Sequence, residues 1–262
     1  MSAILLEGQI VHYEVLGRGR PIIFIHGWVG SWKYWISSMQ VASTSFRAYG
    51  LDLWGFGESA HDPLRYTIDQ QTDLLSRFLD EMGIGKVALV GHGLGALVGY
   101  NFCSRWPQSV DRMMAISAPM QYDAIDSRLR TSTIPDLISW IGSKSPEADS
   151  ALSDAPKADL QAITASINSF QSNDFFNLMR QTQIPCLLVY GQNDPAIPAP
   201  PPGSSTSLPH MMHHVVLDGS AHFPMLDESA RFNRLLTDFL AFDSGVSPRE
   251  LQMKDEWKRR VR

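Results

Sequence analysis

The fold is decided by one stretch of sequence, Lys86-Val87-Ala88-Leu89-Val90-Gly91-His92-Gly93-Leu94-Gly95-Ala96. Its first half is a run of small apolar residues, which predicts a buried strand. The glycines that follow predict a tight turn, and the apolar residues from Ala96 to Phe102 predict a packed helix. The stretch therefore predicts a strand, a sharp turn and a helix in immediate succession.

Strands and helices alternate along most of the chain. A hairpin at residues 3–16 is followed by predicted strands at 22–25, 46–51, 86–91, 110–117, 184–190 and 214–217, with predicted helices at 32–39, 67–82, 96–102 and 226–242. Such alternation is typical of an α/β protein with a mostly parallel sheet flanked by helices. Functional groups in such sheets collect on the loops that follow the carboxyl ends of the strands.

The alternation stops between the sixth and seventh predicted strands. Residues 119–183 contain only helical patterns, at 134–141, 157–170 and 174–180, separated by prolines. We expect this inserted segment to be a small helical cap on a core formed by residues 1–118 and 184–246. Ser247-Pro248-Arg249-Glu250 is a capping box with proline at the first helical position, so residues 247–262 are expected to form a C-terminal basic helix.

Composition excludes several classes of function. The chain has 262 residues, of which 44% are hydrophobic and 19% charged, enough to bury a substantial core. Its net charge of -5 gives no reason to expect nucleic acid as a partner. No stretch approaches the length of a membrane span, and no secretory signal follows Met1. We expect a cytoplasmic monomer or homodimer whose partner is a small-molecule substrate or ligand.

Cysteine and histidine usage indicates neither a disulfide nor a metal site. Cys103 and Cys186 stand in apolar contexts typical of buried, reduced thiols. His210, His213 and His214 precede a predicted strand without the spacing of metal ligands. We therefore expect no bound metal.

Separated motifs at the predicted strand ends resemble those of α/β-hydrolases. They are His26-Gly27-Trp28, the glycine-rich loop Asp52–Ser59, the turn Gly91–Gly95, Gly191-Gln192-Asn193-Asp194 and Gly219-Ser220-Ala221-His222. Together they make residues 4–242 similar to the compact esterase, lipase and cofactor-free haloperoxidase-like branch of that superfamily. The resemblance implies the α/β-hydrolase fold and no cofactor.

The resemblance also implies roles for particular residues. The turn corresponds to the G-x-S-x-G nucleophile elbow, Asp194 to the acid and His222 to the base, in the chain order of this fold. Backbone N–H groups of Trp28 and Leu94 correspond to the oxyanion donors. The substrate pocket is expected to be lined by His26, Gly27, Trp28, His92, Trp140 and Phe223.

Gly93 departs from this pattern, because it stands where the elbow has its nucleophilic serine. Glycine has no Oγ, so no acyl-enzyme forms at this position. It adopts a positive φ without strain, which makes it structurally favourable there. Haloalkane dehalogenases and epoxide hydrolases resemble G-H-D-W-G at the elbow, but this chain has Leu94 in place of the tryptophan, which favours serine as the missing residue.

Three functions remain open at this point. The first is chemistry of the nucleophile–His–Asp type on a small hydrophobic carboxylic ester or related acyl compound, with Gly93 at the nucleophile position, either naturally or as a Ser-to-Gly variant. The second is a non-hydrolytic His–Asp catalyst or a ligand-binding pseudo-enzyme on the same fold. The third is a dinucleotide-binding protein, because Gly91–Ala96 fits G-x-G-x-x-A. That motif requires an acidic residue after the next strand, and Asp111 lies at the strand's start.

Overall fold

A single mixed sheet forms the centre of the molecule. The computed structural model describes residues 2–170, 183–201 and 208–251. Within them, the strands are β1 (Ser2–Leu6), β2 (Gln9–Gly17), β3 (Arg20–Ile25), β4 (Phe46–Leu51), β5 (Val87–His92), β6 (Val110–Ile116), β7 (Cys186–Gly191) and β8 (Met212–Leu217). The strand order is β1-β2-β4-β3-β5-β6-β7-β8. Strand β2 pairs antiparallel with both β1 and β4, and all other pairs are parallel.

Helices flank the sheet. They are α1 (Ile36–Ala42), α2 (Ile68–Glu81), α3 (Leu94–Arg105), α4 (Arg128–Thr131), α5 (Ile134–Ile141), α6 (Ala148–Ala151), α7 (Leu160–Phe170), α8 (Pro224–Asp227) and α9 (Ser229–Leu240). Helix α2 packs on α3, and α1 packs on α9. Every residue of β5 is buried, as the apolar run predicted. The predicted mostly parallel sheet with flanking helices is confirmed.

Two predicted helices differ from the observed ones. The helix predicted at 32–39 begins as a 3-10 turn, Trp32–Trp35, and α1 follows it; the Ser31 side chain caps the turn by accepting a hydrogen bond from the Lys33 N–H. The helix predicted at 226–242 is divided at Glu228, where the backbone leaves the helical conformation, and its first part starts at Pro224. The local apolar periodicity does not reveal either interruption.

The described part of the inserted segment, residues 119–170, contains helices and turns without a strand. It is hydrogen-bonded to the core, for example from the Asp159 N–H to the Gly55 carbonyl (2.8 Å) and from the Ile68 N–H to the Ser169 hydroxyl (3.0 Å). The helix predicted at 174–180 lies outside the described residues, as does most of the predicted basic helix, of which Pro248–Glu250 forms a 3-10 turn. The division into core, cap and terminal helix stays a prediction.

No helix among the described residues is both long and apolar enough to cross a membrane. In the same residues no group of histidine, cysteine, aspartate and glutamate side chains is arranged to hold a metal ion. Cys103 and Cys186 are buried free thiols.

Candidate active site

The turn between β5 and α3 is shaped by its glycines. Gly93 has φ +50° and ψ −109°, a conformation that strains a residue with a side chain. A Cβ at Gly91 would lie 2.3 Å from the Gly95 carbonyl oxygen, and a Cβ at Gly95 would lie 2.3 Å from the Ile25 carbonyl oxygen. Only glycines allow β5, α3 and the end of β3 to approach so closely, so they fix the start of α3 against the loop that follows Ile25.

Asp194 and His222 form a buried pair on the loops that follow the adjacent strands β7 and β8. The Nδ1 of His222 lies 2.9 Å from Oδ2 and 3.1 Å from Oδ1 of Asp194. The carboxylate accepts three further hydrogen bonds, from the Ser117 hydroxyl (2.8 Å) and from the backbone N–H groups of Ala196 (2.8 Å) and Ile197 (3.0 Å). These donors hold the carboxylate in one orientation toward the imidazole.

The surroundings of Asp194 favour its ionised form. Burial by itself would raise the pKa of this carboxyl group, but the neighbouring His222 and the hydrogen bonds from Ile197 and Ser117 outweigh it and lower the pKa below its ordinary value. An ionised Asp194 accepts a hydrogen bond from the Nδ1–H of His222, and in that tautomer the other ring nitrogen, Nε2, carries the lone pair.

The second ring nitrogen of His222, Nε2, is not used in the contact with Asp194. It is buried and has no hydrogen-bond partner in the part of the chain that the structure describes. Buried polar atoms are normally paired, and those left unpaired at a site of this kind are candidates for proton transfer.

The predicted oxyanion donors are the backbone N–H groups of Trp28 and Leu94. In the first turn of α3, the Gly95 N–H donates to the His26 carbonyl, and those of Ala96 and Leu97 donate to the Gly93 carbonyl. No described residue accepts a hydrogen bond from the N–H of Leu94 or from that of Trp28. Such free donors are what stabilisation of a developing oxyanion requires.

The Trp28 side chain lies directly against the elbow. A Cβ built at Gly93 would be 3.1 Å from Cε3 and 3.2 Å from Cζ3 of the indole. The indole is fully buried, and its Nε1–H donates to the Ser166 hydroxyl on α7 (3.1 Å). The indole thus contacts position 93 through its benzo edge and the inserted segment through its Nε1–H.

A hydrogen-bonded chain joins the loop of Gly27 to the loop of His222. The Gly27 N–H donates to the Tyr34 hydroxyl, which lies 2.9 Å from Nδ1 of His92. The Nε2 of His92 lies 2.9 Å from the His222 carbonyl oxygen. Burial holds the pKa of His92 well below its ordinary value, so the ring is neutral, accepts from Tyr34 and donates to His222. Phe223 packs against the rings of both histidines.

Two of the predicted pocket residues, His26 and Trp140, each have their own set of contacts. The Nε2 of His26 accepts from the Leu53 N–H (3.0 Å), and its Nδ1 lies 2.8 Å from the Gly27 carbonyl oxygen. Burial lowers the pKa of His26, which keeps the ring neutral for this acceptor role. Both ring nitrogens of His26 therefore lie within hydrogen-bond distance of backbone atoms. Trp140 borders a cleft of about 440 Å³ that lies beside the loops of Asp194 and His222. The guanidinium of Arg128 lies over the Trp140 ring.

Tyr34 and Ser117 are the positioning residues that the sequence did not reveal. Tyr34 lies in a 3-10 turn, and Ser117 lies at the end of β6 with a positive φ of 43°. Their partners are distant in sequence, and neither belongs to a motif. The strained backbone of Ser117 directs its hydroxyl to Asp194.

Several known proteins are similar to this chain. The sequence pattern of the family described as alpha/beta hydrolase fold matches residues 20–140. The pimeloyl-[acyl-carrier protein] methyl ester esterase of Vibrio cholerae is 22% identical over 87% of this chain and 97% of its own. Epoxide hydrolase 2 of Siraitia grosvenorii is 32% identical, over 44% of this chain and 38% of its own.

A solved structure shows the same fold. A Ser-to-Gly variant of the N-acyl homoserine lactonase AidH, complexed with N-hexanoyl homoserine lactone, superimposes with a TM-score of 0.81 at 20% identity. The alignment covers 91% of this chain and 96% of that one. The chain therefore has the α/β-hydrolase fold.

Proposed function

We propose that this protein hydrolyses a small, hydrophobic carboxylic ester or related acyl compound by direct activation of water, without an acyl-enzyme intermediate. One observation carries the proposal. The Nε2 of His222 is buried and has no hydrogen-bond partner among the described residues, while Nδ1 of the same ring is fixed by an ionised Asp194. Gly93 has no side chain that could accept an acyl group, so water is the nucleophile that such a base would activate.

In the proposed reaction, water gives a proton to Nε2 of His222 and its oxygen attacks the carbonyl carbon. The negative charge that develops on the carbonyl oxygen accepts hydrogen bonds from the N–H groups of Trp28 and Leu94. His222 then returns the proton to the departing alcohol, and the products are a carboxylic acid and an alcohol. General-base catalysis contributes about 10²–10⁴-fold and an oxyanion donor about 10²–10³-fold, so turnover is expected to be slow but measurable.

The relatives support an acyl substrate. The Vibrio cholerae relative is named a methyl ester esterase, and the AidH variant that carries glycine in place of a serine holds a lactone. Loss of a serine is therefore compatible with acyl-ligand binding on this fold. The predicted site residues Gly27, Trp28, His92, Gly93, Leu94, Asp194, His222 and Phe223 would form the centre of this site.

The test is hydrolysis of p-nitrophenyl acetate, butyrate and hexanoate by the parent protein and by His222→Ala and Asp194→Asn. We expect the parent to exceed both variants by at least 100-fold, the lower end of a general-base contribution. His61→Ala is the matched control, because His61 is exposed. A fluorophosphonate probe should leave the parent unlabelled. Equal rates for the parent and His222→Ala would contradict the proposal.

A ligand-binding protein without turnover is the second candidate. The observation that favours it is the closure of the site, in which the Trp28 indole lies over Gly93 and both His222 and Trp28 are buried. Calorimetric titration with N-hexanoyl homoserine lactone separates the candidates. Binding of equal strength by the parent and His222→Ala, with no opening of the lactone by either, would favour this second function.

A further inference from the structure

The indole of Trp28 occupies the space that a side chain at position 93 would need. Contacts of 3.1 and 3.2 Å between a Cβ and two ring carbons are closer than ordinary van der Waals separations. A Cβ at position 93 would therefore fit only if the benzo edge of the ring moved by a few tenths of an ångström. Gly93 and Trp28 are matched in size.

The indole is fixed in this position from the side of the inserted segment. Its Nε1–H donates to the Ser166 hydroxyl, which in turn donates to the Ile163 carbonyl one turn earlier in α7 (2.9 Å). Ser166 is itself buried. The orientation of the ring over the elbow thus depends on where α7 lies.

The general base is closed off in the same conformation. Trp28 has 0% and His222 has 1% of its surface exposed, and Nε2 of His222 is buried as well. A carbonyl group that is to be attacked beside Nε2 and to reach the N–H groups of Trp28 and Leu94 must enter next to position 93. The indole lies directly against position 93.

We infer that Trp28 is the gate of this site and that Ser166 is its latch. A substrate reaches Nε2 of His222 only after the indole swings away from Gly93, and that movement breaks the bond between Nε1 of Trp28 and Ser166. The space vacated by the ring then sets the size of the acyl group that is accepted. This inference rests on the proposed role of His222, but its test requires no turnover.

The experiment measures access to His222 chemically. Diethyl pyrocarbonate carbethoxylates accessible neutral imidazoles, and peptide mass spectrometry gives the rate at each histidine. The rate at His222 is divided by the rate at exposed His61 in the same molecule. We expect this ratio to rise at least 10-fold in Trp28→Leu. It should rise several-fold in Ser166→Ala, which keeps the tryptophan but removes the oxygen that holds its Nε1–H.

Two controls make the result specific. Trp106→Leu makes the same substitution at a tryptophan that packs on Phe102, at the opposite end of α3 from Gly93. This variant should leave the ratio unchanged. The buried His26 should stay unmodified in every variant, which shows that the fold is intact. An unchanged ratio in both Trp28→Leu and Ser166→Ala would overturn the inference, as would an equal rise at His26.

The two proposals fail separately. His222-independent hydrolysis would remove the proposed function and leave the carbethoxylation result intact. An unchanged access ratio beside His222-dependent hydrolysis would remove the gate and leave the proposed function intact.

Discussion

The close contact between Gly93 and Trp28 predicts how Gly93→Ala changes stability. The new methyl group would stand at a residue with φ +50°, and strain of this kind costs about 1–3 kcal/mol. It would also meet the indole at 3.1 and 3.2 Å, and overpacking of a filled site costs about 1–3 kcal/mol more. We therefore expect the free energy of unfolding to fall by about 2–6 kcal/mol.

Gly83→Ala is the matched control for the backbone term. Gly83 also has a positive φ, +65°, but a Cβ there would have no atom within 4 Å. This variant should therefore lose only the conformational part, about 1–2 kcal/mol. Urea unfolding followed by far-ultraviolet circular dichroism at pH 7 gives both free energies by linear extrapolation.

A double-mutant cycle isolates the contact itself. In the Trp28→Leu background the indole is absent, so the loss caused by Gly93→Ala should shrink by the overpacking part, about 1–3 kcal/mol. The strain of the backbone is the same in both backgrounds and cancels. Equal losses for Gly93→Ala and Gly83→Ala, or an additive cycle, would refute the reasoning that the indole fills the space at position 93.

Three further predictions concern residues around the site. Ser117→Ala removes a donor to the ionised Asp194 and should lower the unfolding free energy by about 1.5–3 kcal/mol. The pKa of Asp194 is lowered in the folded protein, so its contribution is present at neutral pH and lost as pH falls through the folded value; Ser117→Ala should move the midpoint of acid unfolding, read by circular dichroism, to higher pH. Tyr34→Phe leaves the Gly27 N–H without its acceptor and should lower kcat for ester hydrolysis more than it changes KM, because Gly27 adjoins the Trp28 donor; equal changes in both would contradict this. Burial alone would lower the pKa of His12, but its bond to Asp52 raises it, so His12 stabilises the fold below its unfolded pKa of about 6.5 and less as pH rises through the folded value. The difference in melting temperature between the parent and His12→Gln should therefore shrink from pH 6 to pH 9, and a constant difference would count against it.

The sequence was sufficient for the sheet and for the order of its functional loops. Apolar runs and glycine turns are local signals, and the ends of parallel strands meet at one edge, so Asp194 and His222 could be expected as neighbours before any coordinates. In the structure, Nδ1 of His222 lies 2.9 Å from Oδ2 of Asp194. The predicted helix boundaries at 32–39 and 226–242 were wrong, because neither the side-chain cap at Ser31 nor the non-helical backbone of Glu228 is visible in the apolar periodicity.

The sequence could not reveal contacts between distant residues. His26 was predicted to line the pocket, and that stays a prediction; the bond that its ring accepts from the Leu53 N–H is one that no spacing rule indicates. Ser117 is an ordinary strand-end residue until its positive φ is known. The same holds for Trp28, whose contact with Ser166 joins positions far apart in the chain. Each role depends on packing across loops, which local patterns do not encode.

The buried Asp194–His222 pair itself favours a site that handles protons over a passive scaffold. Burial of an ionised carboxylate is unfavourable unless several hydrogen bonds compensate for lost solvation, and Asp194 has such bonds from Ser117, Ala196 and Ile197 as well as His222. Together they orient one imidazole whose other nitrogen has no partner in the described part of the chain, and an unpaired buried polar atom costs about 1–3 kcal/mol. A binding pocket would gain stability if apolar residues replaced the pair. A fixed Nδ1 beside an Nε2 that has no partner among the described residues suits a site at which a proton moves, and this supports the proposal of direct water activation over ligand binding alone.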